Sequence, residues 1–166
     1  MYALLKKGDI IVASDKYKLT NILIKGEWDH AAFFLGKHPG EKYEVAEMVH
    51  TGYRKSMFFD ICKEAESVAI YRCDAFDEAY IDKMVSRCKT FDNIKYDVYF
   101  IFDQDGVIKA LYCSELIYVL DEEGRMQVSV ADIAGLKQKY ISPDGLTKGK
   151  TMRLVAHSDH LFDLPS

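Results

Sequence analysis

Hydrophobic and polar residues follow two different rhythms along this 166-residue chain. In the first half the runs are short and bounded by glycine or polar clusters. Residues 8–14 (GDIIVAS) predict a strand opened by Gly8. In 15–26 (DKYKLTNILIKG), Tyr17, Leu19, Ile22 and Leu23 suggest a short helix or turn ended by Gly26. The compact apolar run 30–36 (HAAFFLG) leads into the turn-rich GKHPGE, and 42–49 (KYEVAEMV) alternates, so 30–36 and 42–49 read as a hairpin. Residues 67–73 (SVAIYRC) are a further strand candidate.

The rhythm then becomes helical. In 76–91, apolar residues fall at Tyr80, Ile81, Met84, Val85 and Cys88, the spacing of one helix face. Residues 113–124 (CSELIYVLDEEG) place Leu116, Ile117, Val119 and Leu120 on one side and Gly124 at the stop. VSVADIAGL (128–136) suggests one more short turn of helix, and TMRLVAH (151–157) a last strand. The order β, ββ, β, α, α, β sets helices apart from a mostly antiparallel sheet, an α+β arrangement. Residues 1–166 are expected to form one domain, a length that supports a sizeable core.

Composition narrows the function. The chain is 49% hydrophobic and 29% charged, with a formal net charge of −4. Its basic residues are scattered, YRKS at 53–56 being the densest run, so nucleic acid is not expected as a partner. No apolar run approaches the roughly 20 residues that cross a bilayer, and MYALLKKGDIIVA lacks the pattern of a secretory leader. A cytoplasmic protein is expected. Cys62, Cys73, Cys88 and Cys113 contain no C-x-x-C pair and are expected to stay reduced. Two weak metal signals, HSDH at 157–160 and FDQDG at 102–106, lack the remaining ligands or the register of a known site, so no metal and no cofactor is predicted.

Cys113 is the residue with two readings. A cysteine beside Leu111 and Tyr112 is an ordinary core residue. A cysteine at a helix N-terminus is a thiolate favoured by the helix dipole, next to N–H groups suited to an oxyanion. A nucleophile needs a base and an orienting group. His30, at the leading edge of its strand after EWD, is the best placed of the five histidines. On the neighbouring strand Glu44 and Glu47 are three apart and so face opposite ways. Glu47, between Ala46 and Met48, is the odder placement for an acid.

These segments together resemble a known family: the circularly permuted papain-fold cysteine amidases of the NlpC type (YiiX-like), relatives of cell-wall endopeptidases and of lecithin retinol acyltransferase. GDIIVAS is similar to the opening strand and WDHAAFFLG to the histidine strand. YEVAEMVHTGYRKSMFFDI is similar to the acid strand, and IKYDVYFIFDQDGVIKALYCSELIYVL to the cysteine block. ISPDGL is similar to the proline turn before the last strand. The resemblance implies a circularly permuted papain-like fold, an antiparallel sheet packed on a few helices. It implies Cys113 as nucleophile, His30 as base and then acid, and Glu47 as the orienting residue of a thiol hydrolase that cleaves a peptide or N-acyl amide. Tyr96 is implied near the oxyanion, Asp97 as an organiser of its loop, and Tyr112 as packing or cleft wall. Cell-wall-derived peptides are the implied substrates. A lipid acyl hydrolase or acyltransferase acting on a lipid amide, or a binding module without turnover, are the alternatives. The helix departs from the family in ending at DEEG after YVL.

Overall fold

A computed structural model describes residues 1–15, 26–40, 42–97, 108, 110–128, 130–132 and 139–160. Five strands and a helix come first: β1 (Ile10–Asp15), β2 (His30–His38), β3 (Lys42–Val49), β4 (Gly52–Met57), α1 (Phe58–Glu64) and β5 (Ala65–Cys73). There follow α2 (Glu78–Cys88), β6 (Lys95–Tyr96), β7 (Ala110–Leu111), α3 (Cys113–Leu120), β8 (Ala131–Asp132), β9 (Lys139–Tyr140), α4 (Pro143–Thr147) and β10 (Met152–His157). The principal sheet has the order β10-β5-β1-β2-β3-β4, and each neighbouring pair is antiparallel. No helix among the described residues is long and apolar enough to cross a membrane.

The sheet is covered on both sides, which explains why β2 reads as a continuous apolar run instead of an alternating one. One face presents Ile10, Val12, Ala31, Phe33, Ala46 and Met48 to Met84 of α2 and Leu116, Ile117 and Leu120 of α3. The other presents Ile11, Ala32, Phe34 and Val45 to Phe58 and Ile61 of α1. A partly buried ion pair ties β5 to the start of β1: Arg72 Nε and Nη2 donate to the two oxygens of Asp9 at 2.7 and 2.8 Å. Two parallel bonds of this kind let a carboxylate lie inside a protein.

Several expectations are revised. The pattern predicts no element over 50–66, which holds β4 and α1. β4 is an edge strand whose Arg54 and Lys55 are exposed, so it lacks the alternation of a strand with one buried face, and charge is the usual guard of an edge. α1 is seven residues long, too short for a clear helical period. The helix expected over 76–91 spans Glu78–Cys88, because the Asp77 side chain accepts from the Tyr80 N–H and fixes its start. α3 stops at Leu120, since the Asp121 carboxylate accepts the N–H groups of Arg125 and Met126 and turns the chain. Residues 131–132 of the expected helical turn pair with β9 instead. ISPDGL forms α4, capped by Ser142, not a simple turn. Most of 15–26, residues 133–136 and the FDQDG stretch lie outside the described residues.

Gly52 sets the β3–β4 turn. Its φ of +111° is a conformation that other residues rarely adopt, and an added Cβ would lie 2.6 Å from the Ile94 carbonyl oxygen. Gly52→Ala is therefore expected to lower stability by about 1–3 kcal/mol, read as a lower urea midpoint with an unchanged slope; a variant as stable as the parent would show that the turn is not constrained.

Candidate active site

Cys113 is the first residue of α3, and the sequence around it holds this helix end firmly. The Ser114 hydroxyl donates to the Ile141 carbonyl at 2.8 Å, and the Glu115 carboxylate accepts the Tyr112 N–H at 3.4 Å. Ser114 and Glu115 are thus spent on structure. The Cys113 residue is only 3% exposed. Its sulfur lies 4.0 Å from the Asp29 carbonyl oxygen and meets the His30 side chain and the backbone N–H groups of Ala31 and Ser114.

His30 opens β2, so its ring stands at the end of the sheet. The Nε2–H donates to Glu47 Oε2 at 2.6 Å, which leaves Nδ1 as the nitrogen for the thiol. Register explains the reach: Ala32 pairs with Glu47, and His30, two residues earlier, shares that face by alternation. Glu47 therefore belongs to the face that α1 covers, whereas Cys113 packs with the core of the other face. The imidazole joins them around the sheet end. Glu44 is half-buried and pairs with His38 at 3.5 Å, outside this group.

The charges follow from the contacts. Burial would lower the His30 pKa, but hydrogen bonds to Cys113 and Glu47 outweigh it and raise it to about 10. Burial would raise the Cys113 pKa, yet His30 and the Ala31 and Ser114 N–H groups pull it below that of an ordinary thiol. Burial opposes ionisation of Glu47 as well; His30, Ser56 and Arg54 overcome it and hold the carboxyl at about 2. These shifts favour a thiolate on Cys113, an imidazolium on His30 and a carboxylate on Glu47. His30, Glu47 and Tyr96 also line a cleft of about 390 Å³ between the sheet end and α1.

The sequence profile of the family described as "Permuted papain-like amidase enzyme, YaeF/YiiX, C92 family" matches residues 4–164. The chain belongs to this family. It is an amidase family, and the α+β fold with its six-stranded antiparallel sheet is the permuted papain-like fold. A solved structure, "metalloprotein yiiX from Escherichia coli O157:H7", is similar with a TM-score of 0.76 at 15% identity, covering 91% of this chain and 96% of that one. At that identity the likeness speaks for the fold. No curated protein matches the chain. Among the described residues, no group of three or more His, Cys, Asp or Glu is arranged to hold a metal ion.

The remaining positions in this permuted papain-like amidase fall in different places. Tyr96 lines the cleft; burial and the nearby charges of Cys113 and Asp97 raise its pKa, so its hydroxyl keeps its proton. Asp97 is buried, and its N–H donates to the Leu111 carbonyl at 3.0 Å, joining β6 to β7. Tyr112 is fully buried, its hydroxyl accepts the Ile141 N–H at 3.1 Å, and it does not line the cleft. The sequence gives no site role to three further residues. The Tyr140 ring stacks on Tyr112 with centroids 5.3 Å apart, and burial, then the nearby Cys113, raises the pKa of its hydroxyl. Arg54 and Ser56 both bond Glu47 Oε1, at 2.8 and 2.5 Å. Only the β3–β4 register reveals them, and β4 itself was not assigned.

Proposed function

We propose that this amidase is a thiol hydrolase with Cys113 as nucleophile, His30 as proton carrier and Glu47 as the carboxylate that orients and charges the imidazole. The Cys113 thiolate attacks the amide carbonyl carbon, forming a C–S bond while the π electrons move to oxygen. Backbone N–H groups at the start of α3, where the helix dipole favours negative charge, stabilise that oxyanion, with the Tyr96 hydroxyl as a further donor. His30 gives its Nδ1 proton to the amide nitrogen as the C–N bond breaks and the amine departs. Neutral His30 then takes a proton from water, whose oxygen attacks the thioester. The C–S bond breaks, the acid leaves, and the thiolate–imidazolium pair is restored.

The observation that carries this reading is the unbroken sequence of contacts from Cys113 through His30 to Glu47, with charges suited to each role. The cleft volume suits a small peptide or N-acyl amide, and cell-wall-derived peptides are the first class to test. Incubation with a panel of γ-glutamyl peptides and N-acyl amino acids, followed by mass spectrometry of the quenched protein, is expected to show an acyl adduct on the Cys113 peptide. Turnover without an adduct there, and undiminished in Cys113→Ala, would refute the reading.

A further inference from the structure

We propose that Arg54, assisted by Ser56, is a positioning residue: from the edge strand β4 it fixes Oε1 of Glu47 and so holds Oε2 on His30. This rests on the catalytic reading of Cys113, His30 and Glu47, which it extends by one shell of contacts. Glu47 and Arg54 are directly paired across β3 and β4, and Ser56 follows Arg54 on the same side of the strand. The two bonds, Arg54 Nε at 2.8 Å and Ser56 Oγ at 2.5 Å, converge on a single carboxylate oxygen. The other oxygen is left to the imidazole at 2.6 Å. A glutamate side chain has three rotatable bonds, and a buried one held only by its histidine could turn away from it. Clamping one oxygen from the side opposite the histidine removes that freedom.

Packing does not force this arrangement. The Arg54 side chain is 48% exposed, on the edge strand of the sheet. Extension into water would cost an edge arginine nothing, yet its Nε turns inward to the carboxylate. Its charge is also distinctive. Besides His30, Glu47 and Tyr96, the titratable groups lining the cleft are Asp29, His50, Asp60, Glu64 and Arg54. Among the described lining residues Arg54 is therefore the one permanent cation, set among the carboxylates of Asp29, Glu47, Asp60 and Glu64. Its removal both loosens Glu47 and withdraws positive charge, and both effects make the Cys113 thiol harder to ionise.

The test needs no substrate. The rate of iodoacetamide modification of Cys113, read by peptide mass spectrometry across pH, has an acid limb set by ionisation of that thiol. In Arg54→Gln the limb is expected to move up by about half to one pH unit, and in Ser56→Ala by less. Arg54→Lys, which keeps the charge without the planar Nε–H, falls between Arg54→Gln and the parent. A merely structural role would lower the melting temperature and leave the limb in place. If Arg54→Gln does not fold, Ser56→Ala and Arg54→Lys decide. Limbs that coincide with the parent's in every folded variant overturn the proposal alone. A parent limb already at the value of an ordinary thiol overturns the catalytic reading and this proposal together.

Discussion

At pH 6, iodoacetamide is expected to modify Cys113 about 100 times faster than Cys62, Cys73 or Cys88, and Cys113→Ala to lower amide hydrolysis by about 10⁴-fold or more. Access and ionisation pull in opposite directions here, so the experiment decides between them. Cys62 is half-buried whereas Cys113 is almost wholly enclosed; were access decisive, Cys62 would react first. Burial, however, pushes the thiols of Cys62 and Cys88 up to about 11 and about 12, and raises that of Cys73. At pH 6 an ordinary thiol is about 0.3% thiolate, and these three fall below that. Cys113 alone of the four is drawn downward, by the imidazolium and two backbone N–H groups. Modification of Cys62 ahead of Cys113, or a Cys113→Ala variant that still turns over substrate, would show that Cys113 is a core cysteine after all.

The second large effect is expected at Glu47. Glu47→Gln keeps the shape but removes the charge that orients and holds the imidazolium, so kcat/KM should fall by about 10²–10⁴-fold. Stability should change with it, in a definite pH window. A carboxyl held at about 2 in the folded chain contributes stability that is complete above its unfolded value of about 4.3 and is lost as pH falls through the folded one. A difference of about two units corresponds to about 3 kcal/mol. The parent should thus weaken between about pH 4.5 and 2, and Glu47→Gln should lack this part of the acid transition. At the alkaline end the sign reverses for His30, whose raised value of about 10 gives stability below about pH 6.5 that is lost as pH rises toward 10. The depressed Cys113 value works in the opposite sense until the unfolded thiol itself ionises at about 8.5. Cys113 thus offsets part of the His30 loss below about pH 8.5, the loss is uncompensated from there to about pH 10, and Glu47→Gln should bring it to lower pH. Urea midpoints at pH 3, 7 and 10 measure this; a variant that tracks the parent at all three, with kcat/KM within about threefold, would remove Glu47 from the mechanism.

Much of this site was legible in the sequence because its parts sit on elements with strong patterns. The AAFFL run fixed the strand that starts at His30, KYEVAEMV placed Glu47 on its neighbour, and LIYVL set the helix that begins at Cys113. What escaped was the support. β4 is polar and exposed along an edge, so nothing in GYRKSM announces a strand, and without the strand there is no register to put Arg54 opposite Glu47. The YRKS run drew notice only as a small basic cluster. Tyr140 escaped for a different reason: its strand is two residues long, and its place beside Tyr112 depends on tertiary packing. The rule that Glu44 and Glu47 face opposite ways held as geometry, yet did not say which face mattered. The deciding fact was that the imidazole, not the carboxylate, travels round the end of the sheet.

That route round the sheet end has a consequence for the chain as it is made. His30, Glu47, Arg54 and Ser56 lie on three consecutive antiparallel strands joined by short-range contacts, which form readily as a growing chain emerges. The proposed nucleophile, Cys113, arrives more than fifty residues later, on a helix that docks against the opposite face. Until it docks, Cys113 lacks both the imidazolium and the Ala31 N–H, and behaves as any cysteine would. A nascent or half-opened chain thus carries four ordinary thiols, largely protonated at neutral pH. On the proposed mechanism, the enhanced reactivity of Cys113 arises only when the two faces of the sheet are closed, so activity doubles as a report that folding is complete.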